Sequence, residues 1–221
     1  MSLELVTVQT ADKVELDGAY YSPPSDAASQ VAILIVHGLT WNFYRGPSRW
    51  LPPLLRAAGY SCLSLNMRDH DLNEVRDFDL SGHDIAAGIA FLEQRGATKV
   101  VLLSHGYGCN KLLCHPRLTG DRRAFRRILT TLGAIKAYKP EVWKTVLTSA
   151  ADIRGNMLVV QGAEDQLIEA SDRADELSQA AAGANVETVL LQGGDHYFNG
   201  RHDALARCIL DWLSRSAVSQ S

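Results

Sequence analysis

LLSHGYGCNKLL, running from Leu102 to Leu113, is the stretch that decides the fold. It opens on the end of an apolar run, Val100 to Leu103, and closes on a helix-like segment entered at Cys109. Only Ser104-His105-Gly106-Tyr107-Gly108 lies between them, so a strand passes into a helix through a very sharp turn. Residues two before and two after the centre of such a turn must be small, because larger side chains would collide. Centred on Gly106, the turn has Ser104 before it and Gly108 after it. Centred on Ser104, it would place Leu102, a strand residue, in a tight position. The centre is therefore Gly106, which has no side chain.

Outward from this turn, strand-like and helix-like segments alternate along the chain. Leu3 to Gln9 and Val14 to Tyr21 read as an antiparallel pair, and Val31 to Val36 (VAILIV) as a central strand buried on both faces. Ser61 to Leu65, Val100 to Leu103, Ile128 to Leu132, Met157 to Val160 and Val186 to Leu191 continue the series. Between them, Ile85, Ile89 and Leu92 form a helical stripe with Ser81 as its expected N-cap. Leu205, Cys208, Ile209 and Trp212 form another. This pattern predicts an α/β protein: a mostly parallel central sheet of about eight strands with helices on both faces. One domain is expected over residues 1–217, followed by a polar tail at 218–221.

In open sheets of this kind, ligands bind beyond the carboxyl ends of the strands. Four strand-following loops carry reactive residue types: His37-Gly38-Leu39, Ser104 to Gly108, Gly162-Ala163-Glu164-Asp165 and Gly193-Gly194-Asp195-His196. In that order they resemble the α/β-hydrolase family: an H-G oxyanion loop, a nucleophile elbow, an acid after a late strand and a histidine after the last strand. The resemblance runs from Val31 through Trp212. LLSHGYGCNKLL is similar to the family's L-x-G-H-S-x-G-G-x elbow, and NMRDHDL (Asn66 to Leu72) to its D-x-R-G-H-G loop. Asp69 and Asp71 stand where glycines are common, and Gly106 stands in the place of the nucleophilic serine. The resemblance implies a small-lid member of the family, since the segment from Gly133 to Met157 is short. It also implies Asp165 as the acid, His196 as the histidine, and the backbone N–H groups of Leu39 and Tyr107 as the oxyanion hole. A carboxylate bonded to one ring nitrogen of His196 would fix its tautomer and leave the other nitrogen as a base. Asp195 and Glu164 are rival carboxylates beside better-placed neighbours.

Gly106 removes the covalent step of ordinary serine-esterase chemistry. The leading expectation is a hydrolase or lyase acting on a carbonyl substrate (ester, thioester, lactone or C–C bond) without an acyl-enzyme, His196 being general base. Two alternatives stand beside it. One is a catalytically silent pseudoenzyme or ligand-binding protein, because glycine relaxes a turn normally held at positive φ. The other is an esterase whose serine was deliberately changed to glycine. Ser104 as a shifted nucleophile is a further option.

His37 is expected to shape the oxyanion loop, His105 to pack behind the elbow, and His70 and His83 to lie in a loop and on a helix surface. Trp41, Phe43 and Tyr44, with Trp50, follow the oxyanion loop and could line a substrate pocket or pack on a neighbouring loop. Cys109 should point away from substrate. Arg122, Arg123, Arg126 and Arg127 read as the solvated face of a helix.

The 221 residues are 46% hydrophobic with a net charge of −3, a balance that gives no reason to expect nucleic acid or an anionic membrane as partner. No apolar run reaches the ~20 residues that cross a bilayer, and the N-terminus shows no signal-peptide pattern. Cys62, Cys109, Cys114 and Cys208 form no metal-binding spacing, so free thiols in a reducing cytoplasm are expected, with no metal and no cofactor. The expected partner is a small-molecule carbonyl substrate.

Overall fold

In the run VAILIV, every side chain is apolar, yet successive residues of a strand face opposite ways. Both faces of that strand must therefore be covered. The computed structural model describes residues 3–24, 29–72, 78–119, 124–132, 140–166 and 171–215. In it Val31–Val36 is β3, with Ala32, Leu34 and Val36 in one buried cluster and Ile33 and Ile35 in the other.

The remaining strands are β1 (Leu3–Gln9), β2 (Glu15–Tyr21), β4 (Ser61–Leu65), β5 (Lys99–His105), β6 (Ala124–Thr130), β7 (Gly155–Gly162) and β8 (Ala184–Leu191). They form one eight-stranded sheet in the order β1-β2-β4-β3-β5-β6-β7-β8. The β1–β2 and β2–β4 pairings are antiparallel and the others parallel. The helices are α1 (Pro47–Ala57), α2 (Ser81–Gln94), α3 (Gly108–Thr119), α4 (Pro140–Ala150), α5 (Ser171–Ala180) and α6 (His202–Arg215). On one face of the sheet Ile85, Ile89 and Leu92 of α2 pack with Leu112 and Leu113 of α3, Trp143 of α4 and Leu177 of α5. Leu51 and Leu55 of α1 and Leu205, Ile209 and Trp212 of α6 cover the other.

All the expected strands are present; β1, β3 and β4 have the expected ends, and the other five are shifted at one or both ends. β6 begins four residues before the expected Ile128, because Arg126 and Arg127 belong to it. The expectation that these arginines form a solvated helix face is thus corrected for both. They are buried strand residues; Arg122 and Arg123 lie outside the described residues. The Arg126 guanidinium lies over the Trp212 ring at 5.6 Å and donates to Leu213 O, so its apolar stem covers core while its head finds partners on α6. Ser81 is also corrected: it is the first residue of α2, and Leu80 is the N-cap without a side-chain bond.

Residues 133–139 and the 218–221 tail lie outside the described residues. In the β6–β7 connection, α4 packs on the sheet through Trp143, Val146 and Ala150. None of Cys62, Cys109, Cys114 and Cys208 is in a disulfide. Among the described residues, no helix is long and apolar enough to cross a membrane.

Candidate active site

The parallel strands β3, β5, β6, β7 and β8 all end at the same edge of the sheet, so the loops leaving them converge there. β5 ends at His105 and α3 begins at Gly108, leaving Gly106 and Tyr107 to turn the chain. Gly106 sits at φ +55° with its N–H bonded to Thr130 O at 2.9 Å. A Cβ added at Gly106 would meet nothing within 4 Å. At Gly108 it would come within 2.5 Å of His37 O and 2.7 Å of Val36 O. Glycine is therefore required by close backbone approach at 108, whereas at 106 only the dihedral favours it.

Ser104 is fully buried and its Oγ donates to Cys109 Sγ at 3.3 Å; that thiol donates onward to Thr130 O at 3.4 Å. Burial pushes the Cys109 thiol up to about 12. Both groups are spent inside the fold, bonded to each other and to the β6 backbone.

The acid and histidine loops are held together by backbone. Ala163 N–H donates to Leu191 O and Glu164 N–H to Gly194 O, and a Cβ at Gly162 would strike the Gly194 carbonyl. This contact brings Asp165, from the loop after β7, to His196, from the loop after β8. His196 Nδ1 lies 3.0 Å from Asp165 Oδ2 and 3.3 Å from Oδ1. The backbone of His196 is fixed from β6 by Thr131, whose hydroxyl donates to His196 O at 3.1 Å. The rival carboxylates do other things. Asp195 accepts from the N–H groups of Tyr197 and Asn199 and from the Asn199 amide, and Glu164 is exposed.

His105 is closer to this pair than a residue behind the elbow would suggest. Its ring meets that of His196 edge-on at 5.4 Å and lies flat against Trp41 at 4.9 Å. Thr130 Oγ1 gives its only proton to Ser104 O, so it must accept from His105 Nδ1 at 3.1 Å. Burial first, and the neighbouring His196 second, lower the His105 pKa to about 3. His105 is therefore neutral with its proton on Nδ1.

Of the aromatic residues after the His37-Gly38-Leu39 loop, Trp41 is the one that reaches the candidate site, stacking on both His105 and Tyr197. Phe43 and Trp50 pack against the core, and Tyr44 is exposed. His37 braces the loop that follows β3. Its Nδ1–H donates to Gly38 O at 2.8 Å and its Nε2 accepts from Met67 N–H at 2.9 Å. Burial, then the charge of Lys111, lowers its pKa to about 4 and keeps it neutral. Leu39 N–H has no acceptor among the described residues. No cluster of three or more metal-ligating side chains occurs among them.

No family sequence model matches this chain, and no curated relative does. Solved structures do. A serine hydrolase without a lid from Xanthomonas campestris superposes with a TM-score of 0.76 at 16% identity, over 97% of this chain and 95% of that one. Dienelactone hydrolase from Anabaena variabilis gives 0.76 at 16%, covering 97% of each chain. Est1E from Butyrivibrio proteoclasticus gives 0.78 at 14%, over 97% and 99%. The chain has the α/β-hydrolase fold.

Within that fold, three features of this end of the sheet escape a reading of the sequence. Tyr197 flanks both His196 and Trp41, and its place beside His196 is the available signal. Thr131, one residue past β6, gives none. Nor does the ion pair of Lys111 with Asp69, since a lysine on an amphipathic helix ordinarily faces water.

Proposed function

We propose that this protein hydrolyses an ester-like carbonyl substrate through water activated by His196, with no acyl-enzyme. The carrying observation is the Asp165–His196 pair beside an elbow whose centre has no side chain. Asp165 accepts Nδ1–H and directs the Nε2 lone pair away from the carboxylate. Water attacks the carbonyl carbon while His196 Nε2 takes its proton. The carbonyl π pair moves to oxygen, where Leu39 N–H and Tyr107 N–H are the proposed donors. Collapse expels the leaving group, which recovers the proton from His196. The empty volume at the Gly106 Cβ position is where the missing hydroxymethyl group leaves room for that water. Hydrolase neighbours such as the dienelactone hydrolase support the ester-like class.

The test is a panel of short-chain and aromatic esters, thioesters and lactones assayed with the wild type and with His196→Ala. Turnover lost in the variant supports the reading. Turnover unchanged by His196→Ala overturns it, and no turnover on any substrate favours the silent binding protein.

A further inference from the structure

The loop after β4 gathers several buried charges. Arg68 makes three bonds to Asp84 of α2 and two to Asp12 of the β1–β2 turn. Asp69 forms an ion pair with Lys111 of α3, and both side chains are almost wholly buried. Lys111 also lies 5.5 Å from the centre of the Tyr107 ring, one turn back on the elbow. A buried pair of this kind is no general source of stability, since desolvation offsets its attraction; its best-supported use is to specify one arrangement.

The same loop grips the oxyanion segment along its length. Met67 N–H donates to His37 Nε2, Asp71 N–H to Trp41 O, and Phe43 N–H to Asn66 Oδ1. His37 in turn donates to Gly38 O. The Gly38–Leu39 peptide is trans, so its N–H points opposite to its C=O. Fixing the Gly38 carbonyl against His37 therefore aims Leu39 N–H the other way. From the elbow helix, Lys111 is bonded into the loop that holds His37.

We infer that Asp69 and Lys111 are positioning residues: their ion pair sets the oxyanion loop in register with the elbow, so that the N–H groups of Leu39 and Tyr107 converge. This rests on the proposed oxyanion role of those two groups, but the geometry can be read without any activity. Asp69→Asn leaves an uncompensated ammonium and Lys111→Met an uncompensated carboxylate. The double variant Asp69→Asn/Lys111→Met leaves neither and retains the volumes.

The experiment is NMR of the wild type, the singles and the double, reading the His37 ring nitrogens and the Leu39 amide. The wild type should show His37 protonated at Nδ1 only. The double should melt nearer to wild type than either single does, yet show a mixed His37 tautomer and a displaced Leu39 amide, with resonances of β6 to β8 unmoved. If a single fails to fold, the double alone is read. A double variant with wild-type His37 and Leu39 signals overturns the inference. In a Gly106→Ser background, the double should lower ester kcat about a hundredfold with KM held, the order expected for loss of one oxyanion donor. Absence of ester turnover by the wild type counts against the proposed function, while the NMR comparison still decides the inference.

Discussion

Asp165 and His196 meet at 3.0 Å with the carboxylate fully enclosed and the imidazole 14% exposed on its side chain. One partner is thus sealed and the other open toward the loops at the sheet's carboxyl edge. That asymmetry is what the proposed roles of orienting acid and general base require.

Replacing His196 by Ala should lower turnover of the true substrate about a thousandfold, a loss in the general-base range. Asp165→Asn should fall by a comparable factor with KM little changed, since the amide favours the wrong tautomer. Steady-state kinetics on the best ester of the panel checks both.

Gly106→Ser should fold, because its Cβ meets open space. The positive φ should cost about 1–2 kcal/mol of stability. The variant should gain burst-phase ester hydrolysis and be labelled by a fluorophosphonate at position 106, with Ser104 unlabelled. Mass spectrometry of the labelled peptide checks it.

Gly108→Ala should behave oppositely to Gly106→Ala. Its Cβ would press on the carbonyls of Val36 and His37, which are backbone atoms unable to turn aside. Destabilisation above about 3 kcal/mol is expected at 108, against about 1–2 kcal/mol at 106. Urea melts of the two variants, read side by side, test the contrast.

Acid should weaken the fold through two histidines. His37 and His105 titrate near 4 and 3 in the folded chain, against 6.5 when exposed. Between those limits the unfolded chain binds protons that the folded chain refuses. Their contribution is therefore intact above pH 6.5 and declines as pH falls. Each gives a slope of about 1.4 kcal/mol per pH unit, so the pair should cost about 4 kcal/mol from pH 7 to pH 5. In His105→Gln this slope should be roughly halved. Unfolding curves across that range measure it.

The sequence by itself determined the fold class and the strand-following loops that gather at the carboxyl edge of the sheet. VAILIV could only be a strand covered on both sides, and the small residues flanking Gly106 left a single register for the elbow. These are local facts: strand period and steric room within a few residues, legible without knowing what packs where. Arg126 and Arg127 mislead because their spacing suits a helix face as well as a strand, and only the packing of α6 on β6 shows which. The tertiary structure alone brought Asp165 to His196, through the contact of the Gly162 and Gly194 backbones. It alone placed Lys111 beside Asp69, and spent the Ser104 hydroxyl on Cys109. Contacts between residues far apart in the chain depend on how the sheet orders its strands, and no run of neighbouring residues records that.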